Sequence, residues 1–418
     1  MLDSISQEKR LEFTVSGIND KTKQLTNQKR QVRLKTCADV YSHWRSYKRQ
    51  YKRAPKDGVE FQIEYIDTGL ALNEEERSKA PIALALHGAP GSYHDFSLLI
   101  AHLTRQKVRV IAPNFPEYVA TVKTKVLFRH SADEKAAYLR DFLKAIEVKK
   151  IDLLVSHSSA IFPTLLILLN ANSEALAKQK GTVASDSDGG DVTSTITDNN
   201  NNNNNNNNDN ISDINKNDRS RHKRRHLDVI VEFDEPIEIR AVALFNPAGH
   251  RLPKSMKPTW YKCGSVRVYQ HKLGRSIYRK LGPAFLTVVG VPVRVDNMDN
   301  VMLSATVMRN SKCQRVVRQL EQLSQMKIPT LLVFSENDKL IEKEIFYEMT
   351  QFMKLDPNNF DVFNNDGDIE LSQSRTDDWI RVMVFKAGGH YAYSNYASTV
   401  NQAVSELLSK VTPIICSN

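Results

Sequence analysis

Residues 151–160 read Ile-Asp-Leu-Leu-Val-Ser-His-Ser-Ser-Ala, an apolar strand running without a spacer into small side chains around Ser158. Ile151–Val155 reads as the strand and Ser159–Asn170 as the helix that follows. A turn tight enough to join them directly brings residues 156 and 160 against neighbouring backbone, which is why only small side chains suit those places. Outward from this unit stand further short apolar runs, Pro81–Leu86, Val108–Ala112 and Ile239–Phe245. Ser131–Val148 reads as a helix, with Ser131 and Glu134 fitting a capping box. Near-continuous apolar strands alternating with helices predict an α/β protein, a mostly parallel central sheet with helices on both faces. Val59–Tyr65 alternates apolar and polar residues, the pattern of a half-buried antiparallel strand.

Two further segments end in residues that carry chemistry. Ile328–Asp338 is a buried-type strand closing on an acid, and Trp379–His390 is a strand closing on a Gly-Gly turn and a histidine. The order Ser158, Asp338, His390, together with the strand–turn–helix around Ser158, resembles the α/β-hydrolase superfamily. Both usual glycines of that turn are altered, to Ser156 and Ala160. Pro81–Ser92 contains His-Gly-Ala-Pro-Gly-Ser, similar to the turn that supplies half of an oxyanion hole in this superfamily. The resemblance covers roughly residues 58–171 and 228–412. The whole pattern also resembles an invertebrate branch of the superfamily with no settled substrate.

What the resemblance implies is a serine hydrolase that cleaves an ester, thioester or amide of a small, partly apolar molecule through an acyl-enzyme on Ser158. His390 would be the base, Asp338 the carboxylate that orients it, and the backbone N–H groups of Ala89 and Ser159 the oxyanion donors. Glu336 competes for the acid's role, but the motif register favours Asp338, with Asp299 a distant third. His157 is expected to point toward the core, whereas His87 and His94 stand where they could orient the oxyanion turn. His250 and His271 read as loop or cap surface. Epoxide hydrolases carry an aspartate where this chain has Ser158, which argues against epoxide or haloalkane chemistry. The alternative reading is a catalytically inactive hydrolase fold serving as a binding protein. No cofactor is implied, and no His, Cys or Asp cluster has metal-ligand spacing.

The chain has 418 residues and a formal net charge of +10. Much of that charge lies in residues 1–56, and a second basic cluster is Arg219–Arg225. Such an arm allows weak contact with an anionic membrane surface; no nucleic-acid fold accompanies it, so nucleic acid is not an expected partner. The four cysteines, Cys37, Cys263, Cys313 and Cys416, are far apart and suggest no disulfide framework. With no secretory signal and no apolar run long enough to span a bilayer, a cytoplasmic setting is expected. The sequence does not determine the oligomeric state.

The expected organisation is a basic arm over 1–56, then the first part of the core over 57–171. A disordered, asparagine-rich insertion follows over 172–227, and a core strand lies within 228–250. A helical cap spans 251–326 and holds a helix over Val301–Met326 and an apolar stretch, Gly282–Val295. The last part of the core, 327–418, includes a polar insert over 356–378. Within the arm, Val40, Trp44, Tyr47 and Tyr51 fall at helical spacing.

Overall fold

Side chains alternate across the strands of the central sheet, and this alternation builds a core on each face. A computed structural model describes residues 28–47, 52, 54–116, 128–172, 237–256, 259–269, 271–288, 298–372 and 378–412. The described strands are β1 (Lys29–Thr36), β2 (Val59–Asp67), β3 (Ile82–Leu86), β4 (Arg109–Pro113), β5 (Lys150–Ile151) and β6 (Leu153–His157). They continue as β7 (Glu238–Ile239), β8 (Val242–Phe245), β9 (Thr330–Ser335), β10 (Asp361–Phe363), β11 (Ile369–Leu371) and β12 (Ile380–Phe385). The main sheet has the order β1-β2-β4-β3-β6-β8-β9-β12-β10-β11, while β5 and β7 pair separately. From β4 to β10 every neighbouring pair is parallel. The antiparallel pairs lie at the two ends of the sheet.

In β9, Leu331 and Val333 enter one core and Leu332 and Phe334 the other. The first core is closed by the helices Ser97–Arg105 and Ala397–Val411 through Leu99, Leu103, Val400 and Val404. The second is closed by the helices Ala132–Ala145, Ile161–Ala171, Arg315–Met326 and Lys343–Phe352. Each Leu or Phe buried this way contributes about 1.5–3 kcal/mol. This is the two-faced α/β-hydrolase architecture expected from the sequence. Parallel strands share their carboxyl ends, so β3, β6, β8, β9 and β12 all deliver their following residues to one edge.

Three helices, Thr259–Tyr269, Lys272–Val288 and Met298–Asn310, pack together: Val266, Tyr269, Met298 and Met302 of the first and third form a small core, Tyr278 of the second packs against it, and the third lies over that edge. The single helix expected over Val301–Met326 is two, broken at 311–314, where Lys312 takes a φ of 49°. The capping box on Ser131 forms as read, the Ser131 hydroxyl accepting from the Glu134 N–H.

The basic arm needs correcting at its C-terminal half. Lys29–Thr36 is the edge strand β1, paired with β2 from Lys29–Ile66 to Thr36–Val59. Leu34 is buried in it, and the helix Ala38–Tyr47 behind it buries Val40, Tyr41 and Trp44. Four cations in eight residues hid the alternation, yet an edge strand with one face in water is where cations cost least. The polar insert likewise contributes β10 and β11 to the sheet, because Phe363 packs flat on Phe385 with ring centres 4.5 Å apart. Outside the described residues lie 1–27, 48–51 and 53 of the arm, nearly all of the asparagine-rich insertion with its basic cluster, 228–236 before β7, 289–295 of the apolar stretch and 373–377 of the polar insert. Among the described residues, no helix is long and apolar enough to cross a membrane.

Candidate active site

The chain leaves β6 at His157 and turns at once through Ser158, which holds φ at 53°, into a short 3-10 turn and the helix Ile161–Ala171. A left-handed residue between a strand and a helix lifts its side chain off the sheet edge and costs about 1–3 kcal/mol of backbone strain. Ser156 and Ala160 fit beside it fully buried, although the Ser156 hydroxyl has no hydrogen-bond partner among the described residues. The substituted turn is therefore formed. A Cβ on Gly88 would stand 2.9 Å from the Ser158 Cβ, so the turn after β3 must carry glycine there.

Ser158, Asp338 and His390 come together. The Asp338 Oδ2 accepts from His390 Nδ1 at 2.7 Å, and His390 Nε2 stands 2.8 Å from the Ser158 hydroxyl oxygen. An ionised carboxylate only accepts, so Nδ1 carries the proton and Nε2 offers its lone pair to the serine hydroxyl. That is the tautomer a general base requires. Asp338 is held in turn: its Oδ1 accepts the N–H groups of Leu340 at 2.8 Å and Ile341 at 3.1 Å. Glu336 points elsewhere, accepting from the Tyr347 hydroxyl. Asp299 belongs to the cap, where Arg279 and Tyr269 hold it.

Several residues that the sequence did not single out complete the support. Asn246, the residue after β8, donates through Nδ2 to Asp338 Oδ2 at 3.1 Å and to the Gly389 carbonyl at 3.1 Å. The Gly389 carbonyl also accepts from the Ser335 hydroxyl, and the Gly389 N–H donates to Asn337 Oδ1 at 2.8 Å. Gly388 makes this turn possible with φ of 110°. His157 packs inward as expected, with Nε2 donating to the His390 carbonyl at 3.0 Å. Burial, and then the nearby His390, holds its pKa well below the ordinary histidine range, so it stays a neutral prop. The available sequence signal was position: Asn246 and Asn337 both follow strands of the parallel set at its carboxyl edge.

The turn over His87–Pro90, expected to supply one oxyanion donor, is fixed from two sides. His87 accepts the Phe115 N–H on Nε2 at 2.9 Å, which leaves its protonated Nδ1 to donate to the Gly88 carbonyl at 2.7 Å. The Gly88 carbonyl and the Ala89 N–H are opposite ends of one trans peptide, so holding the first aims the second. Burial lowers the His87 pKa to about 3 and keeps this tautomer neutral. From the cap, the Ser304 hydroxyl donates to the Ala89 carbonyl at 2.6 Å. His94 instead is exposed, its ring tilted against that of Tyr93 with centres 4.4 Å apart. The N–H groups of Ala89 and Ser159 donate in no turn or loop hydrogen bond among the described residues. Both residues line the cavity of about 120 Å³ that also contains Ser158 and His390. Its other wall is apolar, with Met256, Met308, Leu340 and Ile341.

Solved structures similar to the chain include the meta-cleavage product hydrolase CumD from Pseudomonas fluorescens IP01, 12% identical over 84% of this chain and 94% of that one, with a TM-score of 0.41. The haloalkane dehalogenase DbeA from Bradyrhizobium elkani USDA94 is 13% identical over 84% and 94%, with a TM-score of 0.42. The haloalkane dehalogenase DatA from Agrobacterium tumefaciens C58 is 12% identical over 84% and 93%, with a TM-score of 0.43. No curated protein matches the chain in sequence. Residues 43–190 and 220–409 match the family described as alpha/beta hydrolase of unknown function, DUF1057. With most of its length covered by that match, the chain belongs to this family of α/β-hydrolases.

Proposed function

We propose that the protein is a serine hydrolase that opens an ester, thioester or amide bond through an acyl-enzyme on Ser158. The observation that carries this reading is the unbroken chain from Asp338 through His390 to Ser158, with contacts of 2.7 and 2.8 Å. His390 Nε2 takes the hydroxyl proton as the Ser158 oxygen attacks the acyl carbon. The oxygen of the tetrahedral intermediate meets the N–H groups of Ala89 and Ser159, each such donor being worth about 2.7–4 kcal/mol. His390 then returns the proton to the leaving group, and water repeats the sequence to release the acid. The apolar wall of Met256, Met308, Leu340 and Ile341 suits an alkyl portion of the substrate.

A fluorophosphonate reagent tests the nucleophile without knowledge of the substrate. Wild-type protein is expected to be labelled on Ser158, and Ser158→Ala to remove the labelling. Well-folded wild-type protein that resists the reagent would instead support the inactive binding protein.

A further inference from the structure

On the other side of the oxyanion turn lies a second chamber, about 190 Å³, which shares Gly88, Ala89 and Pro90 with the first as a common wall. The helix Met298–Asn310 roofs both, Ser304 over the first and Asn300 and Leu303 over the second. Lys135 lines the second chamber and is only 2% exposed. Its Nζ lies 4.3 Å from the centre of the Phe115 ring, and no hydrogen bond or ion pair reaches it among the described residues. A buried ammonium without a carboxylate is costly, and such groups are found paired or next to a ligand.

Among the described residues, every carboxylate near Lys135 is already engaged. Asp133, two positions before it, pairs with Arg315 at 2.5 Å and Lys312 at 3.7 Å. Glu134 accepts from the N–H groups of Arg129 and Ser131 and from the hydroxyls of Ser131 and Tyr41. Across the chamber, Asp299 is held by Arg279 and Tyr269. The two histidines on the wall are neutral: burial pulls His87 to about 3 and His130 well below its usual value, and the Lys135 charge pushes both the same way. Among the described residues, Lys135 is thus the cation left over in a partly polar space.

We propose that this chamber binds a carboxylate, with Lys135 as its counter-ion. One ammonium balances one carboxylate group, whereas a phosphate carries both of its charges on one group and would leave a buried negative charge. The carboxylate is either the far end of the substrate or a free acid such as the one hydrolysis releases. If it is the substrate's, the inference deepens the hydrolase reading and makes the cleaved molecule a half-ester, half-thioester or half-amide of a dicarboxylic acid. Burial also brings the Lys135 pKa down to about 7, so the site is charged below that pH and empties above it.

The full chain carrying Ser158→Ala is titrated with succinate, with acetamide as a neutral control and chloride at matched ionic strength, following the melting temperature. Succinate alone is expected to raise it, and the effect is expected to fade as pH rises through about 7 and to vanish in Lys135→Met. An equal response to acetamide or chloride, or a succinate effect that survives Lys135→Met, overturns the proposal. Should that variant not fold, the pH dependence of the Ser158→Ala protein decides: binding that is unchanged or stronger above pH 7 overturns it. Hydrolysis of p-nitrophenyl hydrogen succinate against p-nitrophenyl butyrate then separates the two sources. If the carboxylate belongs to the substrate, the kcat/KM ratio of the two esters falls about tenfold or more in Lys135→Met. If it is a free acid, the ratio holds, and succinate binding still requires Lys135. Absence of hydrolysis by the wild type, with succinate binding intact, removes the reading of Ser158 and leaves the carboxylate site standing.

Discussion

Replacing Lys135 by methionine measures directly how isolated its ammonium is. Methionine nearly matches the length and flexibility of the lysine stem and removes only the charged end. Burial moves the ammonium from its usual 10.5 to about 7. Each pH unit between those two values corresponds to about 1.4 kcal/mol. The folded value is the lower one, so between about pH 7 and about pH 10.5 the unfolded chain binds the extra proton and stability rises with pH. Below about pH 7 the whole penalty, about 4–5 kcal/mol, weighs on the folded protein. Contact of the ammonium with the Phe115 ring, lost in the variant, offsets about 1 kcal/mol of that. Lys135→Met is therefore expected to be more stable by about 3–4 kcal/mol at pH 6 and by about 1 kcal/mol or less at pH 10. Urea unfolding of both proteins at the two pH values, followed by circular dichroism, gives the two differences. All other titrating groups are common to the pair, so the change in the difference belongs to position 135. A variant less stable at both pH values, or a difference that does not shrink with rising pH, would refute an unpaired buried ammonium.

Two further substitutions probe the machinery around Ser158. Gly88→Ala puts a methyl 2.9 Å from the Ser158 Cβ, and the resulting shift of up to about 1 Å is expected to slow fluorophosphonate labelling about a hundredfold. Asn246→Leu removes the donor to Asp338 and to Gly389, yet each acceptor keeps a second partner in His390 and Ser335. The expected loss is about 1 kcal/mol of stability, measured by urea unfolding, with labelling slowed about tenfold or more by the loosened acid.

The strand before Ser158 was legible because every residue of Leu153–Val155 is buried on both faces, which leaves an uninterrupted apolar run. Asp338 and His390 were legible for a related reason: each ends such a run, and parallel strands bring those ends to one edge. What could not be read depends on contacts between distant segments. Lys135 sits on a helix whose start was recognised from Ser131 and Glu134, but the charged Asp133 and Glu134 precede it and nothing local says the side chain is buried. The edge strand Lys29–Thr36 shows only Val32 and Leu34 as apolar alternation, and its pairing with β2 decides it. Asn246 and Asn337 look like ordinary residues of strand-end loops until Gly389 and Asp338 arrive from elsewhere in the chain.

The hydroxyl of Ser304 crosses from the roof helix to the Ala89 carbonyl, between the two chambers. Raising that helix to admit a molecule releases the same peptide segment whose N–H is to receive the developing negative charge. On the proposed reaction, the seat of the roof helix and the aim of that N–H are then one constraint, set by a single hydroxyl.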